Sequence, residues 1–175
     1  MIKKIRFEVV PNSYGEMAHL EFFKNDTKLV VNEDNKTLTL SNGDTINFNV
    51  EASSEYGSGF NVIKIFNTTN SPGHSYDCWC TSGTGGNEWV EITFDPAIPK
   101  SFANKLTFCC GQDHGSYPST FTLFFIDENE QREQIGEPLF VNEHNGLFEW
   151  TSTIPCLLGN NGRYYFLKPK KELNK

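Results

Sequence analysis

Apolar and polar side chains alternate with a period of two along most of this chain, the signature of half-buried strands. In residues 2–10, IKKIRFEVV, Ile2, Ile5, Phe7 and Val9 fall in near-alternation and predict a strand. The stretch MAHLEFFKNDTKLVV predicts a turn at Asn25-Asp26 and a strand at 28–31. In NKTLTLSNGDTINFNV, Leu38 and Leu40 alternate, Asn42-Gly43 offers a positive-φ turn, and Ile46, Phe48 and Val50 alternate again, which predicts a hairpin. Further strands are predicted at 88–94, 104–110, 120–126, 138–141, 146–151 and 163–168, with a turn in DENEQ. In the 88–94 strand, Val90, Ile92 and Phe94 share one face and Trp89, Glu91 and Thr93 the other. Alternation alone does not say which face is inward. By size, Trp79 and Trp89 are both expected in the core.

Residues 51–88 break the pattern. They are rich in Ser, Gly, Asn and Thr, with one apolar piece, FNVIKIF, that leaves room for one helical turn. Loops this long in a small domain usually serve function, and the interspersed Phe60, Phe66, Tyr76 and Trp79 predict an ordered, packed stretch. Many short strands with turn signals and almost no helix predict an all-β antiparallel sandwich or barrel.

Composition agrees with that reading. At 175 residues the chain is long enough for one domain with a real core, and its 15 Phe, 6 Tyr and 3 Trp suit pleated surfaces. The formal charge of −7, with no basic cluster beyond Lys3-Lys4 and the tail KPKKELNK, excludes a duplex nucleic-acid reader. The N-terminal stretch lacks the apolar run of a signal peptide, and no segment approaches the ~20 apolar residues of a spanning helix. The expectation is therefore a protein made in a cytoplasm, with no membrane partner.

Five cysteines remain: Cys78, Cys80, Cys109, Cys110 and Cys156. C-x-C and C-C are not knuckle spacings, and neighbouring residues on a strand point to opposite faces, so small buried thiols are expected in place of a zinc site. A zinc- or redox-active cysteine protein stands as the third functional reading.

The order of landmarks resembles the galactose-binding-like β-sandwich of discoidin, or coagulation-factor-type C, domains. The residues that carry the resemblance are Ala52-Ser53-Ser54, Ile65-Phe66-Asn67-Thr68, Trp79, the strand Trp89-Val90-Glu91-Ile92-Thr93-Phe94, Phe121 to Ile126, and Arg163-Tyr164-Tyr165-Phe166-Leu167. The leading segment resembles the strand pair that precedes such domains in phage tail and virion proteins. The resemblance implies an antiparallel jelly-roll sandwich over 45–170, an N-terminal strand segment, 1–44, packing on it, and a basic tail, 171–175. It also implies that the Trp89 strand is scaffold. In sugar-binding members a calcium sits beside an Ala-Phe-Asp-Gly turn. Asn67 stands where that Asp would be and removes a carboxylate, so no cofactor is expected, calcium being the one to consider.

Catalytic signatures are missing: adjacent pairs such as Asp113-His114 and Glu143-His144 diverge on a strand, and no nucleophile elbow, zincin or phosphate loop occurs. The chain is expected not to be an enzyme. The resemblance places a ligand site on loops at one end of the sandwich. Its candidates are Tyr56, His74, Tyr76, Asp113, His114 and Tyr117, in the glycine-flanked loops SEYGSG, SPGHSYD and GQDHGSYP, with Asn70 and Gln112 as polar companions. The expected function is a structural or receptor-facing component of a phage particle, located in the virion and made in a host cytoplasm, with carbohydrate bound by these loops. Its partners would be other virion proteins, further copies of itself, or a cell-surface glycan. A free lectin-like module is the alternative.

Overall fold

Alternation is realised as antiparallel pairing throughout the described residues, which in this computed structural model are 1–11, 14–67, 78–83, 86–109, 119–141, 145–149, 156–159 and 163–166. β1 (Ile2–Pro11) lies between β8 (Glu88–Ile98) and β10 (Ser119–Ile126) in a seven-stranded sheet. Beyond β10 comes β11 (Arg132–Val141); beyond β8 come β6 (Thr45–Ala52), β5 (Thr37–Thr39) and β4 (Val30–Asn32). The smaller sheet runs β12 (Asn145–Glu149), β9 (Lys105–Cys109), β2 (Glu16–Lys24), β3 (Thr27–Lys28), and β7 (Trp79–Cys80) also pairs with β2. β13 (Cys156–Gly159) and β14 (Arg163–Phe166) form a separate two-stranded ribbon. Residues 1–44 thus supply strands to both sheets.

The two sheets face each other across one core. Phe7 of β1 meets Phe108 of β9 at 6.2 Å and Phe148 of β12 at 6.4 Å, and Phe108 meets Phe121 of β10 at 4.7 Å. Phe102, from the 3-10 turn Lys100–Phe102, closes one side against Phe22 and Phe94. Each such ring taken from water contributes about 1.5–3 kcal/mol, and the edge-to-face geometry adds to that. The fold is an all-β sandwich.

Local chemistry explains the turns. Asn25 and Asp26 both take positive φ, 49° and 63°, the two-residue hairpin conformation that joins β2 to β3. Gly43 has φ 91° in the turn between β5 and β6. The strand expected at 28–31 is two short strands in different sheets. Leu29, buried between them, donates its N–H to the Phe22 carbonyl at 2.8 Å and carries the chain from the small sheet to the large one. The helical turn expected near FNVIKIF is a pair of 3-10 turns, Ser58–Phe60 and Val62–Phe66, and β7 was not anticipated.

Trp79 is fully buried, as expected, but Trp89 is not a core residue. Val90, Ile92 and Phe94 take the inward face of β8, and Trp89 lies on the outer face beneath the Arg6 guanidinium, 4.3 Å from its ring centre. The indole is shielded by a cation and its stem instead of by the core. Cys78 and Cys80 are buried and Cys109 half-buried, all three outside any disulfide.

Candidate functional site

Strand register gathers the loop-bearing strand ends at one end of the sandwich. Pro11, at the end of β1, pairs with Ser119 at the start of β10, which pairs with Val141 at the end of β11. Glu88, opening β8, faces Val9, and Ala52, closing β6, faces Val90. In the small sheet, Cys109 at the end of β9 faces Ala18 and Asn145. Gly15 extends the β2–β7 ladder by one more pair here: its N–H donates to Thr81 Oγ1 at 2.9 Å and its carbonyl accepts the Thr81 N–H at 2.9 Å. A Cβ at Gly15 would sit 3.0 Å from Thr81 Cγ2 and 3.2 Å from Val9 Cγ1, so a larger residue here would have to push those methyl groups aside.

The segment after β6 is held from several sides. The Ser53 N–H donates to the Trp89 carbonyl at 2.9 Å and the Trp89 N–H donates to Ser53 Oγ at 2.9 Å. Both Ser53 and Ser54 hydroxyls donate to the Glu88 carboxylate. The indole N–H of Trp79 donates to the Ser54 carbonyl at 2.8 Å, the Tyr56 N–H to the Cys80 carbonyl at 2.8 Å, and the Val62 N–H to Glu55 Oε1 at 2.7 Å. Glu88 and Trp89 therefore act at this end as an anchor: one clamps two serine hydroxyls and the other supplies backbone pairing.

This anchoring brings Tyr56 to a cavity of about 230 Å³ whose described lining is Tyr14, Tyr56, Phe60 and Cys80. Tyr56 is 56% exposed, while Phe60 and Cys80 are buried. Tyr56 stands perpendicular to both of its neighbours: Tyr14 to Tyr56 is 5.5 Å at 88°, and Tyr56 to Phe60 is 5.5 Å at 90°. Glu16, buried, lies directly across the β2–β7 ladder from Cys80. Burial, then the Glu16 carboxylate and the neighbouring Cys78, push the Cys80 thiol far up, so it stays neutral. As a neutral, buried thiol Cys80 serves as an apolar wall of the cavity. Burial, aided by Glu21, likewise pushes Cys109 up to about 11.

Of the six residues predicted for the site, Tyr56 is on this cavity. His74, Tyr76, Asp113, His114 and Tyr117 lie outside the described residues, as do Asn70 and Gln112. Sequence reasoning missed Tyr14, Phe60 and Cys80. Tyr14-Gly15 repeats the aromatic–glycine pairing of Tyr56-Gly57, a signal that could have found it.

A second cleft, about 500 Å³, lies beside the turn at which the resemblance implies calcium, with Asn67, Asn61, Glu33, Asp34 and Glu55 on its walls. Lys36 and Lys64 also line it, setting two ammonium groups among the carboxylates. Among the described residues no three of His, Cys, Asp or Glu converge in a way that could hold a metal ion, and Asn67 offers an amide oxygen where a carboxylate would add negative charge. Comparison with protein-family models, with curated proteins and with solved structures finds no match to this chain.

Proposed function

We propose that this chain is a non-catalytic, carbohydrate-binding β-sandwich whose site is the aromatic cavity of Tyr14, Tyr56 and Phe60, working as a structural or receptor-facing component of a phage particle. The observation that carries the proposal is the cavity itself: three aromatic rings and a neutral thiol around about 230 Å³, at the end of the sandwich from which the loops depart. Sugar rings have apolar C–H faces that pack on aromatic side chains, with a few polar groups fixing orientation, and tyrosine hydroxyls are of that kind. The neutral Cys80 speaks for binding over chemistry at this site. The galactose-binding-like jelly roll belongs to the same proposal, supported by the facing antiparallel sheets and by the Ala52-Ser53-Ser54 segment hydrogen-bonded to Trp89.

The test is a glycan array probed with the full chain and with Tyr56→Ala. Binding of cell-surface-type glycans that is lost in the variant supports the proposal; no glycan bound by either protein ends it. The assembly half of the reading has its own support. Val10 and Phe140, 54% and 60% exposed, flank Thr120 in one row across the outer face of the large sheet. Light scattering that finds only monomers at high concentration would count against self-assembly through that row.

A further inference from the structure

We infer, resting on the carbohydrate reading above, that the aromatic cavity takes one uncharged sugar unit at the end of a glycan chain, and neither an internal stretch of polysaccharide nor an acidic sugar. Size is the first argument. The cavity's volume of about 230 Å³ is below the roughly 300–1,000 Å³ of clefts that hold drug-sized ligands, so it suits a single ring.

Ring geometry is the second. A polysaccharide that passes through a site stacks successive sugar faces on aromatic rings lying in a common plane. Here Tyr56 stands at 88° to Tyr14 and at 90° to Phe60. Perpendicular rings make a corner, and no straight chain can lie flat on both walls of a corner. Phe60 and Cys80, 8% and 2% exposed, form its floor, and Tyr56 forms its exposed rim. A unit that enters meets the buried floor made by Phe60 and Cys80.

Charge is the third. Among the described residues the floor presents a sugar carboxylate only with a neutral thiol and an aromatic ring, and burying such a charge without a partner is costly. Glu16 stands beside Cys80, directly across the ladder, so an anion in the cavity would approach a second carboxyl group.

The experiment uses the full chain on neutral oligosaccharides in length series from one to six units, each also prepared with a sialic acid cap. The inference expects affinity for the monosaccharide within about threefold of that for the longest chain, and loss of at least about tenfold on capping, a discrimination of the size that a buried unpaired charge produces. Tyr56→Ala, whose ring is exposed, keeps the fold and should lose the bound series. Affinity that climbs steadily with length, or that survives the cap, overturns the inference and leaves the carbohydrate reading standing. Silence across every arm removes the carbohydrate reading, and the inference falls with it.

Discussion

The guanidinium carbon of Arg6 lies 4.3 Å from the centre of the Trp89 ring, and Arg6 Nη1 donates to Glu91 Oε2 at 3.1 Å. One arginine therefore covers the indole and pairs with the carboxylate two residues along the same strand. Arg6→Ala should lower stability by about 1 kcal/mol, which in a chain of this size is about 2–4 °C of melting temperature. Tryptophan emission should shift to the red as water reaches Trp89. An unchanged spectrum would show that the cation does not shield the ring.

Tyr56 carries the binding prediction because its ring can be lost without opening the core. Tyr56→Ala should leave the melting temperature within about 2 °C of the wild type. Glycan affinity, read by calorimetry, should fall by at least about tenfold. Tyr56→Phe keeps the perpendicular packing on Tyr14 and Phe60, and should retain most of the affinity if stacking dominates over the hydroxyl.

Gly15→Ala places a methyl group against Thr81 and Val9 where the backbones are already in hydrogen bond contact. The cost should be about 1–3 kcal/mol, as for other overpacked sites. Adding Thr81→Ser removes the nearer methyl while keeping the hydroxyl that Gly15 needs, and should recover part of the loss in chemical denaturation.

Alkaline pH should reveal Cys109. Its folded pKa, pushed up to about 11, lies above the ordinary thiol value of 9.0. The native state therefore holds the proton more tightly, and the associated stability is fully present below pH 9 and is lost as pH rises towards about 11. Denaturant midpoints measured across that window should fall more steeply for the wild type than for Cys109→Ala. Parallel curves would remove the thiol from the account.

Much of the architecture is legible in residues that act locally. Asn25-Asp26 and Asn42-Gly43 announce their turns because positive φ is a property of those residues themselves. Leu29 is different: nothing in KLVV says that one leucine will pass between sheets, since that depends on where Phe22 and Leu38 place the core. Trp89 was misplaced for a related reason. Alternation defines two faces of β8; Val90, Ile92 and Phe94 bury the inner one, and the Arg6 stack that shelters Trp89 on the outer one comes from a strand far away in sequence. At the site, Tyr56 was visible as an aromatic between small residues. Cys80 and Tyr14 join it only through the pairing of β7 with β2, a two-residue ladder too short to leave a pattern.

The central position of β1 has a consequence for how the molecule is made. Its neighbours are β8 and β10, and its register sets Ile5 between Ile92 and Phe125. During synthesis this strand leaves the ribosome with two unsatisfied edges and an apolar face, and waits until both β8 and β10 have followed before it can be inserted. Chaperone dependence in the cell, and slow refolding in its absence, are what such late insertion of a central strand entails.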